Sequence, residues 1–63
     1  MNWAKTIKKY RDKTIITQAE LAKKLEVGVN NISRWERGHF EPTIETKRKL
    51  KALFDEAGIE GEE

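Results

Sequence analysis

Residues 18–37 read QAELAKKLEVGVNNISRWER, and this stretch predicts two short helices joined by a tight turn. Apolar residues recur three or four positions apart on both sides of Glu26-Val27-Gly28, which is the spacing of a helix with one buried face. Ala22 has no side chain beyond Cβ, so a following helix can cross it closely, and Val27 and Ile32 are placed to fill the wedge. The stretch therefore predicts that the second helix projects from the body of the domain.

Capping signals and apolar spacing outside this stretch predict two further helices. Asn2 and Thr43 are suitable N-caps, and Thr17-Gln18-Ala19-Glu20 fits the capping box that opens a helix. Pro42 cannot lie inside a helix, so it marks a loop. The expected helices run from Trp3 to Asp12 or Lys13, from the Thr17 cap to Leu25, over residues 29–37, and between Thr43 and Gly58.

These elements predict one small all-α domain. No segment alternates with the period of two that a half-buried strand requires. We expect a compact four-helix domain over residues 1–58, with the helix pair at 18–37 and a short, acidic, disordered tail at 59–63. The absence of cysteine excludes a disulfide framework, and no apolar run approaches the ~18 residues of a membrane span.

The charge of the chain is divided unevenly along its length. All 13 Lys and Arg residues fall within residues 1–54, where only six acidic residues accompany them, so this body carries +7. Residues 55–63 contain five acidic residues and no basic one, which gives the tail −5. A basic body favours a polyanionic partner, although a solvated charged surface explains the same distribution equally well.

Three groups of residues carry a resemblance to a known family. They are Gln18 to Leu25 with Val27, the string Asn31-Ile32-Ser33-Arg34-Trp35-Glu36-Arg37-Gly38, and the pairs Pro42-Thr43, Glu45-Thr46 and Lys49-Leu50. Over residues 7–53 the chain resembles the Cro/cI-type (XRE-type) helix-turn-helix family. The resemblance implies a lambda-repressor-like fold, with room for a short fifth turn, and a sequence-specific transcriptional regulator that binds double-stranded DNA. A cytoplasmic repressor of bacterial, phage or plasmid origin, binding a palindromic operator as a homodimer, is the expected form.

The resemblance also gives individual residues a function. Helix three would enter the major groove, where Arg can bond guanine, Asn can bond adenine, and Val can contact the thymine methyl group. Base contacts are expected from Val29, Asn30 and Arg34. Phosphate contacts are expected from Gln18, Asn31 and Arg37, to which we add His39 in the loop and Lys47 on helix four. Arg11 and Glu36 stand at positions that often form a structural ion pair in this family.

The chain departs from the family pattern at four positions. Glu26 stands where Gly is common, in a turn that needs a positive φ, and a non-glycine residue costs about 1 kcal/mol or more there. Ile15 also replaces a common Gly, so we expect the loop after helix one to close differently. Gly28 replaces a capping Ser or Thr, and Lys47 replaces an apolar residue.

Other interpretations of the same residues stay open. The chain fits an antitoxin-like protein-interaction module, in which DNA binding is secondary to masking another protein. An exposed apolar patch of Trp3, Ile44, Phe54 and Ile59 would serve as a dimer surface. An enzyme is not expected, because the sequence has no Gly-rich phosphate loop and no Cys nucleophile. His39 is the only histidine, so no metal site or cofactor is expected either.

Overall fold

The computed structural model describes residues 1–63, and its regular structure consists of four helices. They are α1 at Trp3–Thr14, α2 at Gln18–Leu25, α3 at Val29–Glu36 and α4 at Ile44–Ala57. The predicted all-α, four-helix class is confirmed, and no fifth helix follows α4. None of the four helices combines the length and apolarity that crossing a membrane requires.

Side chains that precede three of the helices satisfy free N–H groups of the first turn. Asn2 and Thr43 each accept a hydrogen bond from the backbone N–H three residues further on. Thr17 and Glu20 form both halves of the predicted capping box, each bond at 3.1 Å. Gly28 gives α3 no side-chain cap, so the position of α3 depends on its packing.

The core lies where the four helices meet. Ala22 and Ile32 are both buried, which allows α3 to cross α2 closely, and Val27 packs half-buried beside them. The ring of Phe54 lies 5.7 Å from that of Tyr10, measured between centroids. The buried apolar residues are Ile7, Tyr10, Leu21, Ala22, Leu25, Ile32, Trp35, Leu50, Phe54 and Ile59.

The C-terminal residues lie against the start of α1. Ile59 is buried in the core. The Glu62 N–H donates to the Thr6 hydroxyl at 2.9 Å, and the Asn2 N–H donates to the Glu62 carbonyl oxygen. The tail over residues 59–63 thus includes one apolar residue that is buried in the core, and its expected disorder stays a prediction. The domain limit at residue 58 stays a prediction.

The apolar dimer patch considered from the sequence does not form a continuous surface. Phe54 and Ile59 are buried, and Trp3 is half-buried with its ring centroid 6.2 Å from that of Phe54. Only Ile44 of the set is exposed. Phe54 and Ile59 are therefore not available at the surface for contact with a second copy.

Two non-glycine residues end helices in the left-handed conformation. Ile15 is the C-cap of α1 at φ 55°, and Glu26 is the C-cap of α2 at φ 59°. The positive φ of Glu26 was predicted, whereas the different closure expected at Ile15 was wrong, because this loop keeps the conformation that suits glycine. The left-handed region costs an L-residue about 1–2 kcal/mol, and a β-branched side chain fits it poorly. Ile15 is 88% exposed, so burial does not offset the strain.

We expect Ile15→Gly to raise the free energy of unfolding by about 1 kcal/mol. Glycine relieves the strain and loses no packing, although it also adds entropy to the unfolded chain. Urea unfolding followed by circular dichroism measures the change. The matched control is Ala19→Gly at an exposed helical position of α2, which should lower the free energy of unfolding by about 1 kcal/mol. If Ile15→Gly loses as much stability as the control does, the backbone at Ile15 is not strained.

Candidate nucleic-acid interface

Helix α3 has a buried inner face and an exposed outer face. Ile32 and Trp35 are buried in the core, whereas Val29, Asn30 and Arg34 are exposed. Asn30 and Arg34 are one turn apart and share the outer face, while Val29 lies at the N-terminal end of the helix. The three residues predicted to contact bases are therefore free to meet a partner.

A buried carboxylate fastens α3 to α1 and α2. Arg11 Nε lies 2.5 Å from Glu36 Oε2, and Arg11 Nη2 lies 2.7 Å from Glu36 Oε1, as in a bidentate ion pair. Gln18 Nε2 donates to the same Oε1 atom at 3.1 Å. We call Arg11, Gln18 and Glu36 the polar clamp. It joins three helices and, together with the buried side chains of α3, fixes the direction in which α3 points.

Opposing effects act on the pKa of Glu36. Burial of the carboxyl group raises the pKa, but the hydrogen bonds from Arg11 and Gln18 and the charges of Arg11 and Lys8 together outweigh burial. The pKa of Glu36 therefore lies below its ordinary value. The hydrogen bond to Glu36 raises the pKa of Arg11, against the smaller effect of burial. Both members of the pair are charged at neutral pH.

We expect the free energy of unfolding to fall as the pH is lowered through the acidic range. A carboxyl group whose pKa is depressed by folding binds its proton more readily in the unfolded chain. The stability from Glu36 is therefore complete above about pH 4.3, the ordinary value for Glu, and is lost towards the lower folded value. Melting temperatures between pH 7 and pH 3 measure the loss. Glu36→Gln is the control. If its melting temperature depends on pH as steeply as that of the wild type, Glu36 is not the source of the pH dependence.

The loop after α3 brings an aromatic ring to Arg34. Arg34 Cζ lies over the ring of Phe40, 5.8 Å from its centroid. Phe40 is 61% exposed, so most of the ring faces solvent. The His39 N–H donates to the Arg34 carbonyl oxygen at 3.2 Å, which holds the loop against the last turn of α3. The His39 side chain itself is exposed.

Lys47 is already paired inside the molecule. Its Nζ lies 2.7 Å from Glu41 Oε1 and 5.3 Å from the centroid of the Trp3 ring. The hydrogen bond and charge of Lys47 lower the pKa of Glu41. A phosphate that approached Lys47 would therefore compete with the Glu41 carboxylate.

The remaining residues predicted to contact phosphates differ in exposure and position. Arg37 is exposed at the C-cap of α3, and Asn31 is half-buried near its start. Gln18 is half-buried, and its side chain is directed to Glu36 of α3. The Arg34–Phe40 and Glu41–Lys47 contacts were not predicted from the sequence, because both depend on the path of an irregular loop and follow no helical spacing.

Comparison with known proteins identifies the family of the chain. The family described as Helix-turn-helix matches residues 7–59. The HTH-type transcriptional regulator ImmR of Bacillus subtilis (strain 168) is 40% identical over 55 residues, which cover 87% of this chain and 43% of that protein. The chain thus spans less than half the length of this relative, and no solved structure matches it. Since the match takes in both helices of the pair and most of the sequence, the chain belongs to the XRE-type helix-turn-helix family.

Proposed function

We propose that the chain is a sequence-specific transcriptional regulator that binds double-stranded DNA and acts as a repressor by occupying a promoter. The observation that carries the proposal is the arrangement of α3, whose inner face is anchored while Asn30 and Arg34 point outward. A helix held in this way can enter the major groove and present its polar side chains to base edges. The name of the relative from Bacillus subtilis, a transcriptional regulator, supports the same function.

Phosphate contacts supply most of the affinity in this proposal. The body carries +7 over residues 1–54, so it is attracted to the DNA backbone, and binding weakens steeply with salt. Gln18 stands at the N-terminal end of α2, where free N–H groups and the helix dipole favour a phosphate. The proposed phosphate contacts are Gln18, Asn31, Arg37, His39 and Lys47.

A homodimer fits the proposed mode of binding. Two copies related by a two-fold axis would place their α3 helices about 34 Å apart, one turn of DNA, on a palindromic operator in the cytoplasm.

Selection from a random duplex library tests the proposed function. We expect the selected duplexes to share a palindromic sequence and to bind more tightly than random competitor DNA. The logarithm of the association constant should fall linearly with the logarithm of the salt concentration. Sizing of the bound complex should give two chains for each duplex. A chain that shows neither a sequence preference nor a salt dependence overturns the proposal and favours the antitoxin-like interaction module.

We expect Glu41→Gln to strengthen binding to every duplex by about two- to fivefold at about 0.1 M salt, because Lys47 is then free for a phosphate. Electrophoretic mobility shifts with selected and random duplexes measure the change. The matched control is Glu45→Gln, which removes the same charge from an exposed position four residues away that forms no ion pair with Lys47. An equal gain in the two variants would show that only the net charge matters and that Lys47 makes no phosphate contact.

A further inference from the structure

We propose that Phe40 is a positioning residue that holds the Arg34 guanidinium ready for a base edge and thereby sets part of the sequence preference. The proposal rests on the proposed function, because it concerns the residue expected to read a base. It adds to that function a determinant outside α3, in the loop that follows it.

The contact between the two side chains leaves the donors of Arg34 free. Arg34 Cζ lies over the face of the Phe40 ring at 5.8 Å from the centroid, and no salt bridge or side-chain hydrogen bond in the molecule involves this guanidinium. The N–H donors of a guanidinium lie in its plane, and an aromatic face attracts the cation without consuming a donor. A ring contact of this kind can persist while the planar edge of Arg34 bonds a guanine.

The loop holds the ring in place from both sides. The Gly38 N–H donates to the Trp35 carbonyl oxygen at 3.0 Å, and the His39 N–H donates to the Arg34 carbonyl oxygen at 3.2 Å. Gly38 has a φ of 78°, which suits glycine and turns the chain sharply after α3. Pro42, two residues after Phe40, is buried and fixes the other end. The backbone at Phe40 is therefore restrained on both sides, and the contact with Arg34 accounts for the position of the exposed ring.

An arginine that is restrained before binding loses less conformational entropy when it binds. Arg has a long and flexible side chain, and ordering such a side chain at an interface opposes association. A ring that already holds the guanidinium reduces this loss for the base that Arg34 reads. Because Phe40 lies outside the buried core, its replacement should leave the fold intact.

Replacement of the ring tests the proposal. Phe40→Leu removes the aromatic face and keeps an apolar side chain, whereas Phe40→Tyr keeps the face. Arg34→Ala is expected to weaken the base preference at one position of the duplex. At that same position, Phe40→Leu should reduce the preference for the correct base pair by about two- to fivefold. Phe40→Tyr should retain the wild-type preference, and both variants should bind random DNA as the wild type does. In an Arg34→Ala background Phe40→Leu should have no further effect.

A measurement without DNA examines the contact itself. In the free protein the ring current of Phe40 should shift the side-chain proton resonances of Arg34, and this shift should be present in Phe40→Tyr and absent in Phe40→Leu.

The outcomes separate this proposal from the proposed function. A wild-type chain without a preferred duplex overturns both. A clear wild-type preference that Phe40→Leu leaves unchanged, or that Phe40→Tyr reduces as much as Phe40→Leu does, overturns only the role of Phe40. An increase in preference in Phe40→Leu also overturns it, because the ring would then be withholding Arg34 from the base.

Discussion

Replacing Arg11 with methionine is expected to lower the free energy of unfolding by about 3–5 kcal/mol, because it leaves the Glu36 carboxylate buried without its cation. Glu36 is only 6% exposed, and Gln18 would then be the one side chain that still donates a hydrogen bond to it. A domain of this length has a total stability of only several kcal/mol, so the variant should be largely unfolded at 37 °C.

Urea unfolding at pH 7 measures the loss, provided that the dependence of the unfolding free energy on urea concentration (the m-value) is the same in both proteins. The matched control is Lys9→Met, which removes a cation on the same helix whose ion pair with Glu62 is exposed at the surface. This control should cost at most about 1 kcal/mol. The double variant Arg11→Met/Glu36→Leu should recover much of the lost stability, since it removes the stranded charge together with its partner. If Arg11→Met costs no more than the surface control, the polar clamp does not stabilise the fold.

The sequence is sufficient to predict those parts of the fold that depend on local interactions. The capping box at Thr17 and Glu20 needs only residues three apart, and the anchoring of α3 follows from the spacing of Ile32 and Trp35. The pairing of Arg11 with Glu36 spans 25 positions, and only the resemblance to a family indicated it. Local chemistry therefore defines the helices, whereas the resemblance supplied the long-range polar contact.

The features that sequence reasoning missed depend on irregular backbone. Ile59 lies in a tail whose composition suggests disorder, yet it is buried in the core, and the helical spacing of α4 does not predict this because Ile59 follows the C-cap of that helix. Phe40 and Glu41 lie in a loop, where neighbouring side chains can point in unrelated directions. Their partners, Arg34 and Lys47, six residues away in each case, become apparent only when the path of the loop is known.

The polar clamp connects the stability of the domain to its proposed recognition of DNA. Glu36 and Trp35 lie on the inner side of α3, and both Arg11 and Gln18 hold Glu36 from other helices. A substitution that weakens the polar clamp would let α3 change direction. The exposed residues of α3 would then be less well placed to contact base edges. Variants of the clamp should accordingly lose sequence preference together with stability, whereas variants of the outer face should lose preference alone.

Replacing Arg34 with alanine is expected to reduce the preference for the selected duplex, over duplexes altered at one base pair, by about 1–3 kcal/mol, or roughly 5- to 150-fold. Arg34 is exposed, makes no ion pair in the molecule and contacts only the exposed ring of Phe40, so its removal should cost at most about 1 kcal/mol of stability. The preference should relax at a single base pair in each half-site, because one arginine can bond only one guanine with both donors. Competition assays with a panel of duplexes, each altered at one position, measure the effect.

Two controls distinguish base reading from charge. Arg48→Ala removes the same side chain from an exposed position on α4 and should leave the base preference intact. Lys47→Ala should weaken all duplexes by a similar factor and reduce the salt slope by about one, as the loss of a phosphate contact requires. If Arg34→Ala weakens selected and random DNA by the same factor, Arg34 binds the backbone. In that case the proposed reading of bases rests on Val29 and Asn30, the other two exposed residues of α3 that are expected to contact base edges.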